Sequence, residues 1–263
     1  FGRLSGLRFP GPALLAAATV PFLFDQGFTI YGGNIASTLA GEFAFSISLS
    51  VALLYLGVVA RGLETGRHRA VAAALLALCA LCHLIPATFA LAGTAVWLVL
   101  RPGRASLKWA VTMAPVGALL ASFWVLPFFL RRAYLNDMGW EKLTDYWINL
   151  VPADNRWLFV FPLAGAVFAV VRRSRTGIWL VLMVATFAAA FVLAPQGRLW
   201  NARLLPFYFL CLYLLAGYAI AEAGKALGRL VSLVTAPGLV PRLPGAEAVP
   251  AARDRDALER ERR

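Results

Sequence analysis

The sequence predicts an all-α, polytopic membrane protein with about eight transmembrane helices and both ends in the cytoplasm. The chain is 60% apolar and its mean hydropathy is +0.72, whereas about half of a soluble domain is apolar. Long, nearly uncharged runs such as 70–100 and 109–130 recur along it. Short clusters of arginine and lysine separate these runs, and that pattern is typical of the cytoplasmic loops of membrane proteins.

Each apolar run of suitable length is interpreted as one crossing, and only the run 70–100 needs division. It is too long for one helix and is basic at both ends, so we expect it to cross twice, with Pro86 as the break. The predicted spans lie near 12–24, 44–60, 70–85, 87–100, 109–130, 157–171, 178–194 and 204–223.

The net charge of +12 is explained by this topology, because all but six of the 25 lysines and arginines then lie on the cytoplasmic side. The six external ones are Arg131, Arg132, Lys142, Arg156, Arg198 and Arg203. The basic residues lie in short loops and not along one helix face. We therefore expect membrane lipids, and no nucleic acid, as partners.

Residues 1–224 form the predicted membrane domain, and two further segments follow it. Residues 225–236 place Lys225 and Arg229 opposite several apolar side chains, which predicts an amphipathic helix on the membrane surface. Residues 237–263 are rich in proline and mixed charge, which predicts a disordered cytoplasmic tail. Because the chain begins with Phe1 and its first residues resemble a loop between spans, we expect it to be the C-terminal part of a longer protein.

Three predicted external segments are more polar than simple connections, namely 25–43, 131–156 and 195–203. They combine carboxylates, amides, tryptophans, tyrosines and arginines. Aromatic rings stack on sugar faces, carboxylates accept hydroxyl protons and guanidinium groups match phosphate, so the combination suits an anionic or sugar-bearing ligand. The alternative is an aromatic belt at the membrane interface with solvated charges around it.

Arg203 and Glu42 are the sharpest candidates within these segments. Arg203 precedes an apolar span on the external side, against the usual charge bias, so we expect it to face a lipid-linked phosphate, with snorkelling to headgroups as the alternative. Glu42 lies where a span begins; it is either a hydroxyl contact or a favourable charge at a helix N-terminus. Asp137 and Trp140 are assigned to an acceptor sugar. The remaining candidate contacts are Asp25, His83, Asn34 and Arg198.

Cofactor motifs are scarce in the sequence. Cys79, Cys82 and His83 match the C-x-x-C-H pattern of haem attachment, but an Ala/Leu-rich membrane helix offers no room for a porphyrin, so we interpret the match as a coincidence. The three cysteines are expected to be packing residues. No cofactor is assigned, and a divalent cation is left open.

Several motifs together resemble a known family. The run from Tyr31 to Phe43 (YGGNIASTLAGEF), the R-G-L-x-x-G-R that follows the next span, C-H-L-I-P from Cys82 and W-N-A-R-L-L-P-F from Trp200 resemble actinobacterial multispanning proteins labelled 6-pyruvoyl-tetrahydropterin synthase-related. Pterin chemistry is not implied, because the metal-binding histidines of that soluble enzyme have no counterpart here. The architecture is similar to the C-type (GT-C) membrane glycosyltransferases.

The resemblance implies a protein of the cell membrane that uses a polyprenyl-phosphate sugar donor and an envelope glycan acceptor at the external face. Arg203 would then face the donor phosphate, and Glu42 or His83 would line the cavity. The catalytic acidic loop of such enzymes would lie upstream of Phe1, so enzymatic activity of this chain is left open. The alternative is a non-enzymatic lipid or polymer transporter, or a scaffold of an envelope complex. Charged residues are scarce inside the spans, which disfavours ion-coupled transport.

Overall fold

The computed structural model describes residues 1–28, 30–134, 141–195 and 199–234. This part of the chain is helical and contains no strand, which confirms the all-α class. Its eight longer helices are α1 (Gly11–Phe24), α2 (Phe43–Thr65), α3 (Arg69–Cys82), α4 (Leu84–Leu100), α5 (Arg104–Leu130), α6 (Val160–Val171), α7 (Arg175–Leu193) and α8 (Leu205–Val234). Short helical turns cover Ile35–Ser37, Thr38–Glu42, Arg132–Tyr134, Tyr146–Leu150, Ala153–Phe159 and Asn201–Leu204.

Five helical stretches of the described chain are long and apolar enough to cross a membrane. They are Ile35–Thr65, Arg104–Leu130, Ala153–Val171, Arg175–Leu193 and Asn201–Val234. The helices α1, α3 and α4 are apolar but shorter. These helices fit a multispanning membrane protein, whereas the number of eight crossings and the side of the two ends stay predictions.

The break between α3 and α4 lies at His83, three residues before Pro86, so the predicted helix bounds 70–85 and 87–100 become Arg69–Cys82 and Leu84–Leu100. His83 has an extended backbone (φ −163°, ψ 128°), and its Nδ1 accepts a hydrogen bond of 3.2 Å from the amide of Ile85. Pro86 sits in the first turn of α4, where a proline is tolerated because the first amides of a helix have no intrahelical partner. In a continuous helix the proline ring would clash with the carbonyl of Cys82, so Pro86 and the cap at His83 both favour an end of α3 at Cys82.

The helix α8 lies in the centre of the bundle, where every residue from Leu205 to Ala219 is buried. Two glycines let its neighbours approach its backbone closely. A Cβ on Gly165 of α6 would lie 2.5 Å from the carbonyl oxygen of Leu215, and one on Gly217 would lie 2.7 Å from that of Leu14 in α1. Small residues at such contacts are the usual means of packing helices in membranes.

The predicted external and cytoplasmic segments gather at opposite ends of α4. At the His83 end, the aromatic rings of Tyr31 and Trp200 meet with centroids 5.1 Å apart. At the other end, Arg101 follows α4 and lies 3.9 Å from Glu64. The segments predicted to be polar and aromatic therefore meet in space.

The chain forms two compact units, Phe1–Gly224 and Lys225–Arg263, and the first has the same bounds as the predicted membrane domain. Within the second unit the structure describes helix through Val234, with exposed Leu227, Leu230 and Leu233. The described residues of the predicted surface helix at 225–236 belong to α8, and their location on a membrane surface stays a prediction. The predicted disordered tail at 237–263 lies outside the described residues.

Candidate functional site

Arg203 is positioned by the turn Asn201–Leu204, which leads into α8. Its Nη2 lies 2.5 Å from Oε1 of Glu42, and its Nη1 donates to the carbonyl oxygens of Tyr31 at 3.2 Å and Ile30 at 3.4 Å. About a quarter of each charged side chain is exposed (23% and 24%). Arg203 thus joins the start of the central helix to the loop 25–43.

Glu42 ends a π-helical turn, immediately after Gly41 with φ 108°, and precedes α2. That left-handed backbone favours glycine. Glu42 directly precedes α2, and its side chain makes no hydrogen bond to the first amides of that helix. If Glu42 stabilises the N-terminus of α2, it does so through its charge and not through a hydrogen-bonded cap. Its Oε2 is buried and has no hydrogen-bond partner among the described residues. A buried carboxylate oxygen without a donor is costly, so this atom suits a ligand that brings an O–H or N–H group.

His83 belongs to the same cluster. Its ring packs edge-on against Phe45, three residues after Glu42, with centroids 5.2 Å apart. Because Nδ1 accepts the hydrogen bond from Ile85, the neutral ring carries its proton on Nε2. That N–H is a second group available for hydrogen bonding at this end of the bundle.

Tyr31 and Trp200 border the Arg203–Glu42 pair and were not among the residues that the sequence singled out. Their rings meet edge to face, and the indole Nε1 of Trp200 donates to the carbonyl oxygen of Glu141 at 2.8 Å. Burial raises the pKa of the Tyr31 hydroxyl, so this group stays protonated at neutral pH. Tyr31 begins the motif YGGN and Trp200 begins the motif WNAR, and these motifs are the sequence signal from which both residues could have been selected.

Asp25 and Asn34 are engaged within the protein. The carboxylate of Asp25 accepts hydrogen bonds from the hydroxyl of Tyr213 (2.8 Å), the amide of Gly27 (2.8 Å) and Nδ2 of Asn155 (3.2 Å). Asn34 is fully buried; its Nδ2 donates to the carbonyl of Asp25 and its Oδ1 accepts from the amide of Ser37. Both side chains therefore shape the loop 25–43 around the Arg203–Glu42 pair.

Asn201 is a structural residue of this end that the sequence did not single out. It is 2% exposed and bonds the amide and carbonyl of Leu143 and the carbonyl of Phe191. These bonds fix the described end of the segment 141–156 next to Trp200. The candidates Asp137, Trp140 and Arg198 lie outside the described residues.

The described chain contains no group of three His, Cys, Asp or Glu side chains that could hold a metal ion. Cys79 is buried, and its Sγ lies 3.2 Å from the Oγ of Ser48, which fits a packing role. Ser48 also donates to the carbonyl oxygen of Cys79, and Tyr55 bonds Thr94 at 2.8 Å. The buried hydroxyls of Ser48 and Tyr55 thus bond to groups on neighbouring helices.

An apolar cavity of about 430 Å³ lies between α3, α4 and α5. Leu84, the residue after His83, lines it together with Thr88 at the start of α4 and Phe129 at the end of α5. Its wall continues toward the middle of these helices at Leu76 and Ala114. The cavity is apolar and partly open, as a groove for a hydrocarbon chain would be.

No protein-family model, no curated protein and no solved structure matches this chain. The site described above therefore carries the functional argument by itself.

Proposed function

We propose that this chain is a glycosyltransferase-like membrane protein that handles a polyprenyl-phosphate-linked sugar at the external face of the cell membrane. The observation that supports this most is the convergence of Arg203, Glu42 and His83 from three distant segments at one end of an apolar bundle. A guanidinium, an unpartnered carboxylate oxygen and an imidazole N–H together suit a sugar phosphate.

Each group has a role in this proposal. Arg203 orients Glu42 and faces the phosphate of the donor. The Oε2 of Glu42 accepts a hydrogen bond from a hydroxyl of the sugar, and the rings of Tyr31 and Trp200 provide stacking faces beside it. The cavity that begins at Leu84 would take the apolar tail, since its lining is almost wholly hydrocarbon. An envelope glycan would be the acceptor.

The test is binding of a short-chain polyprenyl-phosphate hexose to the purified full chain in lipid nanodiscs. We expect Arg203→Ala to weaken binding about tenfold or more, because a hydrogen bond to a charged group contributes roughly 1.5–3 kcal/mol. Glu42→Gln keeps the shape of the side chain and should weaken binding of the sugar more than of the polyprenyl phosphate alone.

The matched control is Arg156→Ala, which removes the same charge from an exposed position in the segment 141–156. Thermal unfolding of every variant separates loss of binding from loss of fold. Equal affinities of the Arg203→Ala and Arg156→Ala variants would remove the phosphate role.

A second candidate function is that of a non-catalytic scaffold. It is favoured by the fact that Arg203 already donates to Glu42 and to two carbonyls of the loop 25–43, as a purely structural clasp would. This alternative predicts that Arg203→Ala lowers the unfolding temperature and that the wild-type protein binds neither polyprenyl phosphate nor its sugar ester.

A further inference from the structure

A second polar cluster lies at the end of α4 opposite His83. There α4 and α7 pack through Trp97 and Trp179, whose rings are stacked with centroids 5.6 Å apart. Trp179 donates its indole N–H to the carbonyl of Gly93 at 2.9 Å. Trp97 is fully buried, and its Nε1 has no hydrogen-bond partner within the residues that the structure describes. A buried indole N–H without an acceptor is rare and calls for a missing partner.

Each tryptophan has an arginine four residues away along the chain. Arg101 lies four residues after Trp97, and Arg175 lies four residues before Trp179. The Nε of Arg101 is also buried and without a partner in the described chain, so the side chains of Trp97 and Arg101 each carry an N–H group that lacks an acceptor. Arg101 directly follows α4, and its backbone amide donates to the carbonyl of Trp97 at 2.9 Å, which places the two residues at the same turn of the chain.

Arginines outnumber carboxylates at this end of the described chain, where Glu222 lies 3.8 Å from Arg172. Glu64 lies 3.0 Å from Arg61 and 3.9 Å from Arg101, so one carboxylate serves two arginines. Burial lowers the pKa of the Arg101 guanidinium, Glu64 opposes this shift, and the positive charge of Arg175 adds to it. The two neighbouring arginines repel each other, and an anion between them would relieve that repulsion.

We propose that Trp97, Arg101 and Arg175 form a binding site for the phosphate group of an anionic membrane lipid. Phosphate offers several acceptor oxygens and negative charge, which the unpartnered N–H groups and the neighbouring arginines both require. A water molecule would supply an acceptor but no charge. Basic pockets between membrane helices at the cytoplasmic side are known to take such headgroups.

The location favours a lipid over a dissolved anion. The cluster lies at the end of the apolar helix α4, where Val99 is 71% exposed and headgroups would meet the protein if the helix crosses the bilayer. The 17 residues of α4 place it about 25 Å from His83, so it is separate from the Arg203 site. This inference does not rest on the proposed sugar-phosphate function.

The experiment is native mass spectrometry of the full chain in a neutral detergent, titrated with phosphatidylglycerol. We expect the wild-type protein to retain one tightly bound lipid. Trp97→Phe keeps the stacked ring and removes only the N–H, and Arg101→Gln removes the charge; each should weaken the apparent affinity about tenfold. Arg175→Gln should have a similar effect.

Arg104→Gln is the control, because it removes the same charge from an exposed position three residues away. It should leave the affinity unchanged, and phosphatidylcholine should not compete. An equal loss in Arg104→Gln and Arg101→Gln would overturn the proposal in favour of diffuse charge attraction. Displacement of the lipid by inorganic phosphate at equal concentration would overturn the lipid as the source and assign the site to a soluble phosphate.

Discussion

Two of the three hydrogen bonds to the Asp25 carboxylate hold the loop 25–43 to other segments, and the one from Tyr213 reaches the central helix. We predict that Tyr213→Phe lowers the free energy of unfolding by about 1–2 kcal/mol, because a buried carboxylate loses a donor. Thermal or denaturant unfolding in nanodiscs measures this loss. Tyr134→Phe is the control, since that side chain is 88% exposed and should leave stability unchanged. Equal stability of the two variants would show that the bond to Asp25 contributes nothing.

His83 combines a structural and a candidate functional role, and two substitutions separate them. Asn at this position can still accept the hydrogen bond from Ile85 as a helix cap, whereas Ala cannot. We therefore predict that His83→Ala costs about 1 kcal/mol of stability and that His83→Asn costs much less. Both should weaken binding of the sugar phosphate equally if the imidazole contacts it. Full binding of the sugar phosphate by the His83→Asn variant would show that His83 serves only as a helix cap and does not contact the ligand.

At the scale of elements, α8 depends on close approach by its neighbours. We predict that Gly165→Ala destabilises the protein by about 1–3 kcal/mol, because the added Cβ would collide with the backbone of α8 at Leu215. Unfolding in nanodiscs gives the difference. Gly224→Ala is the matched control, since a Cβ there would meet nothing within 4 Å. If both substitutions have the same small effect, α6 and α8 do not pack as closely as described.

Some elements could be predicted from the sequence and others could not. The length of the run 70–100 predicts two helices, and the structure has two, but the break lies at His83, three residues before Pro86. A proline excludes a continuous helix through the turn before it, so it predicts a break without specifying the residue at which the backbone leaves the helix. Their positions at span ends make Arg203 and Glu42 candidate ligand contacts in the sequence. Their ion pair could not be predicted, because residues so far apart in sequence meet only when α2 packs against α8 and its preceding turn.

At the scale of the whole molecule, the alternation of charge predicts which segments share an end. Among the described residues, Tyr31 and Trp200 meet at one end of α4, and Glu64 and Arg101 meet at the other. The structural residues Asn34, Asn201 and Tyr213 escaped prediction as such, because an amide or a hydroxyl in a loop or span looks the same whether it binds a ligand or a backbone group. Burial and partners, which distinguish the two, exist only in the fold.

The orientation of the molecule gives a further prediction. Tyr134→Cys and Arg104→Cys introduce exposed thiols at opposite ends of α5, while the native Cys79 and Cys211 are buried. A membrane-impermeant maleimide applied to intact cells should label Tyr134→Cys, and should label Arg104→Cys only after permeabilisation. The parent protein serves as the blank for Cys82. Labelling of Arg104→Cys from outside would reverse the orientation.

The most direct measurement of the central claim is photo-crosslinking with a polyprenyl-phosphate hexose that carries the photoreactive group on its sugar. Peptide mass spectrometry of the crosslinked full chain should find adducts next to Tyr31, His83 or Trp200, and an excess of unlabelled donor should suppress them. Adducts at the opposite end around Arg101, or adducts that the unlabelled donor does not suppress, would contradict a sugar-phosphate site at Arg203 and Glu42.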